Sequence, residues 1–493
     1  MDYSQFLLMY QEIGLLVLIL FVFLFDTFSS KDAPARGISM ITILLFGLLT
    51  VAGFVKPSDQ EVVTAFGGMY ATSPTMIAIK NVLNIGVLIV LIQSKMWANS
   101  DFMRIRRGEF YELLLITLFG MYLMISARHF LLFIIGLETA SLPLAALVAF
   151  EKNRYESHEA AAKYILTAVF SSAIFMMGLS FVYGLAGTLY FSDIAASIIN
   201  GGAMLIVAIA FVIAGMGFKL SLVPFHLWTA DVYEGAPTPV TSYLSVISKG
   251  AAAFAFFVIL VQVFGPFYHG IWEWMLYALI ILTITVGNLF ALRQKNLKRF
   301  LAFSSISQAG YIMLGVIAAN GQGLGSLIYY ILVYIFSNLA AFGVISAIEN
   351  KTGKVDMDSY NNLYSTNPKL SFTMMLAMFS LAGIPPFAGF FSKFFIFSSA
   401  VSPGTTALYI LTLIALINTI ISLYYYLLVV KAMFIKNEEV CVIPSFTSAL
   451  SERVGMWICV AGIILVGIVS CIYNGLIDTA VANPEYIFTI FSN

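Results

Sequence analysis

Runs of apolar residues follow one another along this chain, separated by short polar breaks. Each is roughly 17–25 residues long, enough to cross a hydrocarbon core about 30 Å thick. No soluble fold hides that many. The chain is 60% hydrophobic and 10% charged, against about 45–50% apolar and about 25% charged in average soluble domains. Inside a bilayer the backbone must satisfy its own polar groups, which leaves helices or closed barrels. Runs of this length specify helices, so the chain reads as an all-α polytopic membrane protein. The zero net charge points to no class of partner.

The runs predict about fourteen helices, near 5–26, 38–55, 75–96, 111–127, 129–150, 158–184, 203–230, 238–264, 271–292, 298–318, 324–348, 371–400, 405–432 and 455–476. The start, Met1-Asp2-Tyr3-Ser4, has no basic region, and no small-residue cleavage site follows the first run. That run reads as a retained helix rather than a signal peptide. Cys441, Cys459 and Cys471 lack CxxC spacing, which favours neither an iron–sulfur cluster nor zinc. Gly321-Gln322-Gly323-Leu324-Gly325 precedes an apolar run rather than following a strand. It reads as a flexible turn, not a dinucleotide fingerprint.

Basic residues orient the chain. Loops after odd-numbered helices hold eighteen of the 25 Lys and Arg, and those after even-numbered helices hold only Lys56 and Arg128. Positive loops stay in the cytoplasm, so both termini are expected on the opposite, periplasmic side. The remaining five are Lys80, Lys163, Lys219, Lys249 and Lys393, which lie inside apolar segments together with Glu138.

Two helices carry proline in mid-span, helix 7 at Pro224 and helix 12 at Pro385 and Pro386. Proline removes a backbone donor and clashes with the preceding turn. The breaks are five helices apart, and a tandem unit with an odd number of helices must be inverted. Helices 4–8 and 9–13 therefore read as inverted repeats, each with its fourth helix discontinuous, a pattern associated with transport sites. The expected divisions are an N-terminal three-helix segment (1–110), a first repeat (111–264), a second repeat (265–435) and a C-terminal helix with its tail (436–493).

A charge near the bilayer centre costs roughly 2.5–3.5 kcal/mol on insertion scales, so the intramembrane charges are the candidate site. Glu138 lies about nine residues into helix 5, roughly 14 Å deep, too deep for a carboxylate to snorkel. Lys219 lies just before the Pro224 break. Burial and a nearby carboxylate act in opposite directions on a lysine, so a Glu138–Lys219 pair of variable separation would be a tunable proton site. The bland alternative is a structural ion pair. Lys249 sits mid-helix among Ser245, Ser248, Gly250 and Ala251. Lys393 follows the second break among Phe390, Phe391, Phe394 and Phe395. Lys163 is only about five residues into its helix, where snorkelling rivals a functional reading. Lys80 is expected to snorkel. His226 is either a proton relay beside the break or a packed histidine. Asp231 and Glu234 read as solvated loop acids more readily than as guards of a proton entrance.

At these residues the chain resembles the antiporter-like membrane subunits of proton-pumping NADH–quinone oxidoreductase (respiratory complex I). The motifs are Val223–Thr241 (VPFHLWTADVYEGAPTPVT), Lys298–Ile306 (KRFLAFSSI) and Gly383–Lys393 (GIPPFAGFFSK). His158–Tyr164 with Ser171 and Ser172, and lysine rather than glutamate at 393, favour the subunit N group over its siblings. Ala230, Phe303 and Gln308 depart from the usual proline, tyrosine and histidine of the family. Gln308 puts a relay on helix 10 in doubt.

The resemblance implies a helix 5–helix 7 pair in Glu138 and Lys219, a central Lys249, a terminal Lys393 and a supporting Lys163. It implies a translocase subunit without its own redox cofactor, with NADH, FMN, iron–sulfur clusters and quinone on partner subunits. Expected partners are small subunit K, antiporter-like subunit M, the lateral helix of subunit L and lipid, with no nucleic acid. The expected location is the bacterial inner membrane. A Mrp-type Na⁺/H⁺ antiporter subunit is the alternative from the same motifs, and a structural spacer is the bland one.

Overall fold

Apolar helices in a bilayer gain little from burying surface against one another, so close backbone approach and satisfied polar groups decide how they pack. The computed structural model describes residues 3–29, 37–55, 62–103, 105–198, 202–435 and 442–482. Helix 1 is Tyr10–Phe28, helix 2 Ile38–Val55, helix 3 Pro74–Ala98, helix 4 Arg107–Ser126 and helix 5 Phe130–Val148. Helix 6 is Tyr155–Ala186, and helix 7 is split into Gly202–Leu220 and Leu227–Gly235. Helix 8 is Thr238–Val263, helix 9 Glu273–Ala291, helix 10 Leu297–Ile317 and helix 11 Gly321–Thr352. Helix 12 is split into Pro368–Ala382 and Ala388–Val401. Helix 13 is Thr406–Phe434, and helix 14 is Leu450–Ile468, continued by Ser470–Val481. Twelve continuous helices are long and apolar enough to span, and the shorter helix 2 and the broken helix 12 complete fourteen.

The two repeats match in several of their elements. Helices 6 and 11 are each 32 residues long, and each ends on a left-handed glycine, Gly187 and Gly353. The residue before helix 5 bridges the segment after helix 6 (His129 with Tyr190). The residue before helix 10 likewise bridges the segment after helix 11 (Asn296 with Asp356). Five crossings separate the members of each pair, so they run in opposite directions. Glycines bring the paired helices together in both halves. A Cβ on Gly120 would stand 2.7 Å from the Gly136 carbonyl across helices 4 and 5, and one on Gly287 would stand 2.7 Å from the Ser307 nitrogen across helices 9 and 10.

Helices 8, 10 and 11 form the centre, buried along their whole apolar windows, whereas helices 1, 6 and 13 expose most of theirs. Of the site's polar residues, these central helices carry Lys249, Ser304, Ser305, Gln308 and Tyr330.

The structure corrects two sequence expectations about the fold and adds an element. Residues 321–325 are the first turn of helix 11, because the Asn320 side chain caps it by accepting from Gly323 N–H at 2.8 Å. Gly325 packs there against Ile477, where a Cβ would stand 2.8 Å from its Cα. Helix 7 does not end at 230 but runs to Gly235, so Asp231 and Glu234 are helical. An unforeseen hairpin, Val63–Ala65 with Tyr70–Thr72, precedes helix 3. Lys31, Arg36, Lys56, Arg104, Lys436 and Cys441 lie outside the described residues.

Candidate functional site: a buried polar axis

Helix 7 stops at Leu220 because Ser221 turns left-handed (φ 60°) and Pro224 brings no N–H. Other groups satisfy the freed backbone. Val223 N–H donates to Thr283 Oγ1 of helix 9 at 2.9 Å, and Trp228 Nε1–H to the Phe218 carbonyl at 3.1 Å. Lys219 lies one residue before this end and is buried. Its Nζ donates to Ser141 Oγ at 2.5 Å, and Ser141 donates on to the Leu137 carbonyl at 2.5 Å.

Ser141 follows Glu138 by one helical turn, on the same face of helix 5. Lys219 takes this nearer hydroxyl, and no direct Glu138–Lys219 ion pair forms. Glu138 Oε1 is buried without a hydrogen-bond partner. A cavity of about 10 Å³ opens beside Lys219 and Ser141, lined also by Ser171 and Ser172 among others. That is close to the space one water requires.

Helix 8 widens into a π-turn at Leu244–Ser248, immediately before Lys249. Such turns often mark functional positions. Lys249 is 2% exposed. Its Nζ donates to Ser305 Oγ at 2.7 Å and lies 5.5 Å from the Tyr233 ring centroid. Asn338 donates to Ser245 one turn earlier, at 2.6 Å.

A second set of polar contacts runs along helix 10 beside Ser305. Neighbouring Ser304 shares a 2.5 Å bond with the Tyr426 hydroxyl, and Gln308 Nε2 donates to Tyr426 at 3.1 Å. The Tyr330 hydroxyl donates to Gln308 Oε1. Ser304, Gln308 and Tyr311 follow at four- and three-residue steps, so they share one helix face. Gln308, suspected in sequence of interrupting a relay, bridges the Tyr330 and Tyr426 hydroxyls through its amide.

Tyr311 leads to Lys393, whose Nζ lies 5.3 Å from its ring. Lys393 is 4% exposed. It donates to the Leu381 and Ala382 carbonyls at 2.9 and 3.0 Å, the last of the first half of helix 12. There Gly383 turns left-handed (φ 88°) ahead of Pro385 and Pro386. A cation beside the negative end of a helix dipole is favourably placed. Lys219, Lys249 and Lys393 thus share a design. Each is buried, and each leans on hydroxyls or carbonyls, with no carboxylate at ion-pair distance among the described residues.

The remaining candidates sit differently. Lys163 is 42% exposed and bridges Glu159 and Asp231, both at 2.7 Å. Arg299 holds Asp231 at 2.7 Å and Glu234 at 2.8 Å, so these acids are ion-paired rather than freely solvated. Lys298, counted in sequence as a loop cation, is fully buried, donating to the Ala236 carbonyl at 2.8 Å near Glu349. His226 is half-buried beside the break, and its Nδ1 has no partner.

Lys80 does not snorkel. It is 1% exposed and paired with Glu12 at 2.5 Å, and it also donates to Ser126 at 2.7 Å. Tyr70 of the hairpin donates to the same Glu12 oxygen at 3.1 Å. Sequence reading missed Glu12, Ser141, Ser305 and Tyr426. Only Glu12 carried a signal, as a carboxylate within an apolar run.

The family profile described as "NADH:quinone oxidoreductase/Mrp antiporter, TM" matches residues 127–422. A Phocaeicola vulgatus protein named NADH-quinone oxidoreductase subunit N is 53% identical over 483 residues, covering 98% of this chain and 100% of that protein. A protein of the same name from Azobacteroides pseudotrichonymphae is 52% identical, covering 96% and 98%. Among solved structures, a chain of respiratory complex I from Thermus thermophilus with bound aureothin is 31% identical, with a TM-score of 0.78 over 94% of this chain and 97% of that one. A chain of the Mrp complex from Dietzia sp. DQ12-45-1b has a TM-score of 0.86 at 21% identity, covering 98% of both. That last likeness is one of fold alone.

Proposed function

We propose that this chain, which belongs to the NADH-quinone oxidoreductase subunit N family, carries protons across the membrane along the line Glu138, Lys219, Lys249 and Lys393. One observation carries the reading: three buried lysines are held by hydroxyls and carbonyls instead of carboxylates. A salt-bridged ammonium must break an ion pair to release its proton. One held by neutral groups needs only to rearrange hydrogen bonds.

Glu138 is the adjustable charge. It stands at the margin of the outward face of helix 5, beside exposed Leu131, Ile135 and Leu142. A neighbouring subunit that shifts helix 5 moves the carboxylate relative to Lys219 and so changes how tightly that amine holds its proton. The proton passes to Lys249 at the π-turn, then past the Ser304 and Tyr426 hydroxyls and the Gln308 amide toward Lys393. From the broken helix the proton leaves toward one side of the membrane. Lys163, linked to Asp231, supports the axis at its edge. His226 Nδ1 is an open acceptor beside the first break.

In this reading the chain is a non-redox translocase subunit. NADH, FMN, iron–sulfur clusters and quinone act on other subunits of the complex. Its neighbours are small subunit K, subunit M and the lateral helix of subunit L. It sits in the bacterial plasma membrane with both termini periplasmic. The high identity to subunit N along the whole chain favours complex I over a Mrp-type antiporter.

The test is proton pumping by the whole complex in proteoliposomes, driven by NADH. Lys219→Ala and Glu138→Ala should each lower the protons moved per NADH oxidised while leaving assembly intact. Undiminished pumping in both variants would sink the reading.

A further inference from the structure

Helices 12 and 14 both begin on the face that carries the basic loops, and they begin alike. Each has a cation in its first turn and an exposed aromatic one turn deeper. On helix 12 these are Lys369 and Phe372, and on helix 14 they are Arg453 and Trp457. Phe372 is 46% exposed and Trp457 67%. All four line one cavity of about 600 Å³, within the range of about 300–1,000 Å³ usual for ligand sites.

The cavity is built rather than incidental. Asn367, 5% exposed, donates to the Pro444 carbonyl at 3.0 Å and accepts from Phe446 N–H at 3.2 Å. This clamp holds the extended segment 442–449 across the mouth, and Ile443 anchors it as a fully buried side chain. Neither Lys369 nor Arg453 makes an ion pair among the described residues. Arg453 Nε is buried without a hydrogen-bond partner. Elsewhere on this face Arg154, Lys298 and Arg299 are engaged with acids, while Arg293, Lys295 and Lys431 stand in exposed loops and helix ends rather than lining this cavity.

We propose that this groove holds the headgroup of an anionic phospholipid of the cytoplasmic leaflet. Lys369 and Arg453 contact the phosphate, and the acyl chains run down over Phe372 and Trp457. Two unpaired cations at the membrane boundary match a phosphodiester. The matched aromatic step beneath them is the reason to choose a lipid, since a free phosphate makes no use of it. The naming of the leaflet rests on the orientation given above, but the site does not depend on the proton axis.

The experiment uses the assembled complex in nanodiscs of phosphatidylglycerol or phosphatidylcholine. Native mass spectrometry counts retained lipid, and brominated lipids quench Trp457 fluorescence, read as the difference from Trp457→Phe. Each cation near an anionic surface is worth roughly fivefold in binding. Lys369→Gln with Arg453→Gln should therefore hold phosphatidylglycerol about 30-fold more weakly, and Lys369→Gln alone about fivefold more weakly. Reconstituted in proteoliposomes, both variants should pump normally, which separates this outcome from any failure of the proton axis. The proposal is overturned by equal retention of phosphatidylglycerol in parent and variants. It is also overturned by equal retention of phosphatidylcholine, by displacement of the lipid with inorganic phosphate, or by an absence of quenching, which would mean that a neighbouring subunit covers the groove.

Discussion

Glu12 and Lys80 show how far the cost of a buried charge depends on its neighbour. Together they form an ion pair sealed by Ser126 and the Tyr70 hydroxyl. Removing one member leaves the other uncompensated, at about 3–5 kcal/mol. Glu12→Gln and Lys80→Met should each lower the thermal stability of the complex by several degrees, and the double variant should recover most of the loss. Single variants as stable as the parent would refute the pairing. The sequence placed Lys80 near a helix end, where snorkelling is the natural expectation. It could not show that the hairpin folds Tyr70 over that end. The same limit applies at Glu138 and Lys219. Both were legible as costly buried residues, but the serine between them was one hydroxyl among many until the helix faces were known.

At the scale of the element, the breaks in helices 7 and 12 do most to shape the site. Proline chemistry made both legible. It did not reveal that Lys393 reaches back over Gly383 to the carbonyls the break exposes, because that contact needs the left-handed turn at Gly383. The π-turn ahead of Lys249 has no compositional signature at all. Arginine at 393 would keep a cation against those carbonyls but stays protonated throughout the physiological range. Lys393→Arg should therefore preserve thermal stability and lose most pumping. If it pumps at the parent rate, Lys393 positions the break and does not exchange protons.

Across the whole molecule, the helix count and the inverted repeat followed from run length and from an odd repeat of five helices. These are properties of the bilayer as a solvent, so sequence alone carried them. The order of burial did not follow, because every run is apolar. Helices 8, 10 and 11 became the centre through contacts that only the fold reveals. Orientation can be tested directly. In a background with Cys441, Cys459 and Cys471 replaced by serine, Ser4→Cys should be labelled in intact cells by a membrane-impermeant thiol reagent, and Lys354→Cys only after lysis. The reverse pattern would invert the topology. The central claim is that protons pass through the middle of this chain, and Lys249 is the residue they cannot avoid. The most direct measurement is the number of protons translocated per NADH oxidised by the reconstituted complex carrying Lys249→Met. The account predicts a lower ratio with the complex fully assembled, and an unchanged ratio would contradict it.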